Sequence, residues 1–431
     1  MKYRNKFNHR LIKFFLITQI LLLSASTAVF SQKILIPMDL AQTNHLKAYG
    51  IIYWMLKKGI TSEWLLNYRN GSFLLDYDEL IATECRIRGV FFESIDGSAA
   101  ASIYAEVQSE NNNMDVVKLE KAPKIAVYAP PNVQPWDDAV RLVLEYAEVD
   151  HDIIWDEEVM NGKLADYDWL HLHHEDFTGQ YGKFWASYAS QPWYVEQVAL
   201  NESVAKKLGF SKVSDMNKAI ALKIREYIAN GGFLFAMCSA TDTYDIALSA
   251  INVDICESMY DGDPATPGAN NMLDFSQTLA FENYRLIMDP YEYEYSDIDI
   301  GAETGLANPD ADYFTLFDFS AKYDPVPSML TQCHANVIHG FLGQTTAFNK
   351  KLIKKSVTIL GEKDGSNEVK YIQGNLGKGF FAWYGGHDPE DYRHAVGDPP
   401  TDVNLYKNSP GYRLILNNVL FPAAKKKKQK T

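Results

Sequence analysis

The sequence predicts an α/β protein, and three observations carry that prediction. Short apolar runs of strand length alternate with segments of helical periodicity along nearly the whole chain. A glycine pair, Gly231-Gly232, opens the run Phe233 to Met237, which stops at Cys238 between small residues and is followed at once by the helix-like segment Thr241 to Ala250. Strand, sharp turn and helix is the arrangement that lifts a side chain above the edge of a sheet. Two more apolar strands, Trp169–Leu172 and Gly379–Tyr384, also run into polar clusters, His171 to Asp176 and His387 to Asp391. Sites in open α/β sheets form along the edge where parallel strands end.

The chain has 431 residues, enough for two or three domains. Residues 1–31 read as a secretory signal. A basic start (Lys2, Arg4, Lys6, Arg10, Lys13) precedes the apolar run Phe14 to Leu23, and small residues lead to an expected cleavage after Ser31. The apolar run is short for a membrane anchor, and no cysteine follows it to take a lipid. The expectation is export, to the periplasm, the cell surface or the exterior, with no transmembrane domain after cleavage. Formal charge is −14, and without the five bases of residues 1–31 it becomes −19, with 36 basic against 55 acidic residues. Such a body repels phosphate backbones, which excludes nucleic acid as a partner.

An N-terminal α/β unit is expected over 32–120. It begins with a strand at Lys33–Pro37 and a helix over Leu46–Lys58 that ends at Gly59. A second strand, Trp64–Tyr68, closes at the turn Arg69-Asn70-Gly71. Helices at Glu79–Arg88 and Ala99–Gln108 flank an extended Val90–Phe92, and Asn111–Asn113 marks a linker. The order restarts at Lys124–Tyr128, with a Pro-rich loop (Pro130, Pro131, Pro135), a helix over Trp136–Ala147 and a strand at Ile153–Trp155. This second domain runs over 121–424. Residues 177–213 are aromatic and polar, an excursion above the sheet, and Ser214 caps a helix to Ala229. Acids crowd and aromatics interleave between Asp254 and Asp324, as in Tyr291-Glu292-Tyr293-Glu294-Tyr295, so an irregular or β insert is expected at about 251–345. Strands at Ser356–Leu360 and Val369–Gln373 precede Gly379–Gly386. The chain closes with a helix over Tyr412–Leu420 and a basic tail, 425–431.

Two chemistries can be built from the three strand-end clusters. A cysteine nucleophile needs a base in reach and a carboxylate to orient that base. Cys238 with His387 as base and Glu390 as orienting acid, Asp388 second, meets that need; His174 and Glu175 are rivals for the same roles. Cys238 is equally well read as a buried apolar thiol, and His387 as a turn histidine bonded locally. Alternatively, His171, His173, His174 and His387, with Asp388, Glu390 and His394, supply the imidazoles and carboxylates that a divalent metal takes, though no established ligand spacing is present. Asp297-x-Asp299-x-Gly301 is similar to the start of a calcium loop without the ligands that complete one. Strand alternation puts His171 and His173 on one face and His174 on the other. His173, His174, Glu175, Asp242 and Asp388 are the residues expected around a small-molecule or glycan ligand, with the aromatics of 181–194 as a stacking face. The four cysteines, Cys85, Cys238, Cys256 and Cys333, show no disulfide framework.

The motifs resemble the class I glutamine amidotransferase superfamily. Ala236-Met237-Cys238-Ser239-Ala240 is similar to its Gly-x-Cys-x-Gly elbow, with both glycines replaced, and His387-Asp388-Pro389-Glu390 to its His-Pro-Glu, with one residue inserted. The resemblance covers about Lys124 to Phe421 and implies a flavodoxin-like sheet in which Cys238 is nucleophile, His387 base and Glu390 the orienting acid. Where that family carries a glycine-rich oxyanion loop, this chain has His173-His174-Glu175-Asp176; non-hydrolytic relatives such as the trehalose-utilisation-like proteins match comparably. Over the whole chain, Gln42 to Lys47, Leu170 to Gly182, Phe235 to Ile246 and Tyr384 to Tyr392 resemble an exported family of Bacteroidetes labelled asparagine synthetase B. That label implies glutamine-dependent amide transfer with ATP. No Ser-Gly-Gly-x-Asp-Ser pyrophosphate loop occurs in this sequence, so ATP is not an expected cofactor. The expectation is an exported Cys-dependent amidohydrolase; the alternatives are a non-catalytic ligand-binding module and a metal-dependent site.

Overall fold

A computed structural model describes residues 32–301, 312–341, 343–391 and 395–425. The expected signal, His394 and the tail beyond Lys425 lie outside the described residues, as does part of the insert.

The first unit is an antiparallel sheet. Its strands β1 (Lys33–Ile36), β2 (Ser62–Leu66), β3 (Ser72–Asp76), β4 (Glu93–Ile95) and β5 (Asp115–Leu119) lie in the spatial order β4-β1-β3-β2-β5. Two-residue alternation decides its faces. Leu35, Leu65 and Leu74 turn toward Ile103 and Val107 of helix α3 (Gly97–Gln108), while Ile34, Trp64 and Phe73 turn toward α1 (His45–Lys57) and α2 (Glu79–Arg88). Side chains of Asn44, Asp78 and Asp96 accept backbone N–H groups and so start these three helices. Strand β3 is not expected from the sequence, where the turn Arg69-Asn70-Gly71 closes β2. The turn after β2 runs through Asn67, Arg69, Asn70 and Gly71, all at positive φ, and returns Ser72–Asp76 as the hairpin partner of β2. The extended segment expected at Val90–Phe92 pairs instead at Glu93–Ile95.

The second sheet has mixed strand orientation. β6 (Ile125–Tyr128), β7 (Asp152–Ile154), β8 (Trp169–Leu172) and β9 (Phe233–Met237) are parallel to one another and to β15 (Gly379–Tyr384). β10 (Tyr313–Leu316), β11 (Val337–His339), β13 (Thr358–Glu362) and β14 (Glu368–Leu376) extend it antiparallel, giving the order β11-β10-β13-β14-β15-β9-β8-β6-β7; β12 (Phe348–Asn349) pairs with β14. Helices cover both faces of the parallel half. On one side lies α4 (Ala139–Ala147), against Ile125, Val127 and Phe235. On the other lie α5 (Asp156–Met160), α8 (Val213–Asn230) and α9 (Ser239–Ser249), against Ala126, Leu170 and Leu234. Between them in the chain run α6 (Trp185–Tyr188) and α7 (Pro192–Lys207) of the aromatic excursion. Helix α8 starts at Val213 after Lys212, two residues earlier than a Ser214 cap would set it.

The two units share one hydrophobic core. α1 lies across α4 and the last α-helix among the described residues, Pro410–Leu420, and Gly50 makes its contact with α4 possible: a Cβ there would stand 1.8 Å from the carbonyl oxygen of Ala147. Arg413, fully buried in the same seam, donates to the Met38 carbonyl at 3.0 Å, the Tyr49 hydroxyl at 3.1 Å and the Asn70 carbonyl. The described part of the insert is clamped from below. Asp245 of α9 accepts the N–H groups of Leu279, Ala280 and Phe281 at 2.6–2.8 Å, and buried Lys183 donates to the carbonyls of Ile287 and Glu294 at 2.8 Å. All four cysteines are free and buried. Among the described residues no helix is long and apolar enough to cross a membrane.

Candidate functional site

The neighbouring positions of β8, β9 and β15 bring the three polar clusters to one edge of the sheet. Beyond Met237 the chain turns sharply into α9 with Cys238 at φ +52° and ψ −144°, a backbone conformation that costs a non-glycine residue on the order of 1–3 kcal/mol. The Cys238 N–H donates to the Gly386 carbonyl at 3.0 Å, and the Ala240 N–H to the His173 carbonyl at 3.1 Å. The elbow is thus stitched to both adjacent strand ends.

The three residues of the expected triad face three sets of neighbours. The thiol of Cys238 is 3% exposed; burial pushes it up to about 12, the Ser239 amide opposes that, and the Asp242 and Asp299 carboxylates push it up further. Electrostatics of this kind hold a thiol protonated, the reverse of nucleophile activation. His387 stands among imidazoles, its ring 5.0 Å from that of His173 and 4.8 Å from that of His174, with Nε2 3.8 Å from Asp137 Oδ1. Glu390 bonds to the Ser409 side chain, and burial raises its carboxyl to about 6. Asp388 serves the turn itself: it accepts the N–H groups of Glu390 and Asp391 at 2.7 and 3.0 Å and the Tyr412 hydroxyl at 2.8 Å. Asp242 is fully buried at the start of α9 and accepts the Thr243 N–H at 2.9 Å. Asp299, from the segment similar to a calcium loop, accepts the backbone N–H groups of Gly301, Thr346 and Ala347 and acts as a loop staple.

The histidines converge around an aspartate that the sequence reading passed over. Asp138 caps α4 through the N–H groups of Val140 and Arg141, and the same oxygen meets His171 Nε2 at 3.3 Å and His173 Nδ1 at 3.1 Å. Burial alone would raise its carboxyl; the two histidines outweigh that and hold it well below the usual range. Burial lowers His171, with Asp138 opposing, and lowers His174 strongly, with His173 and His387 adding to the effect. His174 was expected on the opposite face from His173. β8 ends at Leu172, however, and beyond it the strict alternation lapses: the two rings lie 4.0 Å apart, and His174 Nε2 bonds to the Asp137 carbonyl.

A cavity of about 600 Å³ opens beside this cluster, outside the carboxyl ends of β6 and β7. Tyr128, Trp136, Trp155 and Tyr181 give it aromatic walls. His174, Glu175, Asp137 and Asp138 line it on the β8 side, and Asn201 and Asn217 face them from the excursion and α8. Cys238, His387 and Glu390 are not part of its wall. Burial pushes Glu175 up to about 8 against the opposing His173 N–H, which donates to it at 2.7 Å, and pushes Asp156 up to about 7 against the opposing Tyr128 hydroxyl. A hollow of about 930 Å³ at the other end of the sheet is lined by Gly231, Gly232 and Phe421 and has no histidine or cysteine in its wall. Convergent titratable groups mark the first as the candidate site. Asp137, Asp138 and Tyr128 were findable from the sequence, because they follow the first strand of the second domain at the same sheet edge.

No protein-family model and no curated protein matches the chain. Among solved structures, two cytoplasmic proteins from Salmonella typhimurium each align over 70% of this chain and all of their own, at 11% and 12% identity and a TM-score of 0.35. A β-galactosidase from Bacillus circulans sp. alkalophilus aligns over 67% of this chain and 31% of its own, at 10% identity and a TM-score of 0.24. Likenesses this distant say nothing of what the chain does.

Proposed function

We propose that this protein is an exported module, built like the class I glutamine amidotransferases on a flavodoxin-like sheet, that binds a small polar ligand of the sugar class. One observation carries the reading: the cavity outside β6 and β7 combines aromatic faces with carboxyl, imidazole and carboxamide groups. Flat aromatic rings cover the apolar faces of a sugar ring, while the polar groups satisfy its hydroxyls. The test is tryptophan fluorescence titration with a panel of neutral and N-acetylated mono- and disaccharides. Saturable quenching by at least one of them is expected, weakened about tenfold or more in Trp136→Ala and unchanged in Cys238→Ala. Absence of quenching across the panel, or quenching indifferent to Trp136 and Trp155, would sink the reading.

A second reading, a Cys238-dependent amidohydrolase with His387 and Glu390, is favoured by the strained elbow at Cys238, because backbone strain of this size concentrates at functional sites. It requires Cys238 to react with iodoacetamide well below the ordinary thiol pKa of about 8.5. The acidic surroundings of the thiol weigh against it and place it second.

A further inference from the structure

The histidine cluster has a property that ligand binding in the cavity does not account for. His173 is 1% exposed, and Asp138 fixes its Nδ1, yet its Nε2 is shielded from solvent and meets no hydrogen-bond partner. A buried polar atom left without a partner is destabilising, which points to a ligand that would satisfy it. One ring nitrogen from each of His173, His174 and His387 lies within 4.8 Å of the other two.

We propose that His173, His174 and His387 hold one divalent cation of the zinc class through three imidazole nitrogens. Neutral imidazole suits zinc and the later first-row metals, and three protein ligands with an open fourth position are the pattern of a catalytic centre. Ligands of one ion stand a few ångströms apart, and these nitrogens already lie within 4.8 Å of one another. The supporting contacts are of the kind metal-binding histidines have. The Asp138 carboxylate sets the tautomer of His173 by taking Nδ1, and the Asp137 carbonyl takes Nε2 of His174, which turns the other nitrogen of each ring to the ion. His171 is not a ligand. Both of its nitrogens are engaged, with the Phe235 carbonyl and Asp138 at 3.3 Å each, so it braces Asp138 from behind.

Three neutral imidazoles leave the charge of the ion intact, and the Asp138 carboxylate bonded to His173 complements that charge. His174 is itself part of the cavity wall, so the three-histidine cluster borders the ligand space. A cation there would polarise a bound carbonyl or lower the pKa of a bound water. The metal site stands on its own observations, whatever ligand the cavity takes.

The experiment is titration of chelator-stripped, full-length mature protein with zinc sulfate alone, followed by calorimetry. One tightly bound zinc per chain is expected in wild type, with affinity lowered about 100-fold or more in His173→Ala and His387→Ala. His171→Gln and Cys256→Ser should keep the one-to-one stoichiometry; the second removes the thiol of the separate Asp254, Cys256 and Asp261 group. Because a histidine variant can fail to fold, wild type is also loaded with cobalt(II). An intense ligand-field band without thiolate charge transfer is the expected spectrum. The proposal is overturned by wild type that binds no stoichiometric zinc, by a thiolate band in the cobalt spectrum, or by a folded His173→Ala that binds zinc as wild type does.

Discussion

The backbone N–H of Cys238 donates to the carbonyl of Gly386, 3.0 Å away, and this bond ties the elbow after β9 to the end of β15. It helps to hold Cys238 at φ +52°, and the thiol is left beside Ser239, Asp242 and Asp299 instead of in the cavity wall. The fold therefore keeps the geometry of a nucleophile elbow while surrounding its side chain with groups that suppress a thiolate.

That arrangement predicts a silent cysteine. Native protein treated with iodoacetamide near pH 8 should leave Cys238 unmodified, as burial and two carboxylates push its thiol up to about 12. Labelling of Cys238 should appear only after unfolding in urea, read by peptide mass spectrometry. Rapid native labelling at that pH would falsify the assignment and return the residue to the role of nucleophile.

Asp156 predicts a loss of stability on the alkaline side. Its carboxyl is 1% exposed, is raised from 3.8 to about 7 by burial, and takes the Tyr128 hydroxyl as donor. Between those two values the folded state holds a proton that the unfolded chain has released. Its contribution is thus fully present below about pH 4 and is lost as pH rises through 7, at a slope of up to about 1.4 kcal/mol per pH unit. Asp156→Asn keeps an acceptor for Tyr128 and cannot ionise. Urea unfolding of the variant should give a curve flatter than wild type by about one proton over that window; parallel curves would refute the shift.

The opposite sign holds at the seam between the two units. His45 and His334 stack with ring centroids 4.0 Å apart beside Arg413. Burial lowers His45 to about 4, with Arg413 adding to it, and lowers His334 to about 3, with His45 and Arg413 adding to it. Stability from these neutral rings is present above about pH 6.5 and lost as pH falls toward 3–4, because the unfolded chain takes up protons first. His334→Gln should reduce the acid slope by about one proton in the same unfolding assay. An acid limb of unchanged steepness would mean that His334 is protonated in the native state.

Much of this architecture was legible in the residues, and the reasons are local. The helix over 79–88 emerges from helical periodicity, with Ile81, Ala82 and Cys85 on its buried face; the strands at 169–172 and 379–384 emerge as short apolar runs buried along their whole length, and the helix expected over Tyr412–Leu420 begins at Pro410. What escaped was fixed by contacts far apart in sequence. β3 is a strand because a left-handed turn returns it onto β2, and the first unit is antiparallel where a repeated strand–helix order had pointed to α/β winding. The edge holding the site was visible in the clusters at 171–176, 238–242 and 387–391, because sites favour strand ends. Which residues meet there was not. His174 joins His173 only because β8 stops at Leu172, and Asp138 reaches both His171 and His173 from the cap of a helix on a different strand connection.

Gly50 supplies the last prediction, about how the two units are held together. It lies inside α1, where glycine is otherwise destabilising relative to alanine by roughly 0.5–1 kcal/mol. A methyl group there would stand 1.8 Å from the Ala147 carbonyl oxygen and 2.9 Å from its carbon, both backbone atoms of α4. Backbone cannot rotate away as a side chain does, so α1 would have to lift from α4 and part of the shared core with it. Gly50→Ala should therefore lower stability by about 1–3 kcal/mol or more despite the better helix propensity of alanine. Gly59→Ala is the control for conformation without crowding, since nothing lies within 4 Å of a Cβ at that left-handed position. Thermal unfolding that shows Gly50→Ala as stable as wild type would mean that the α1–α4 contact is not close-packed, and that the two units are joined by Arg413 and its acceptors instead.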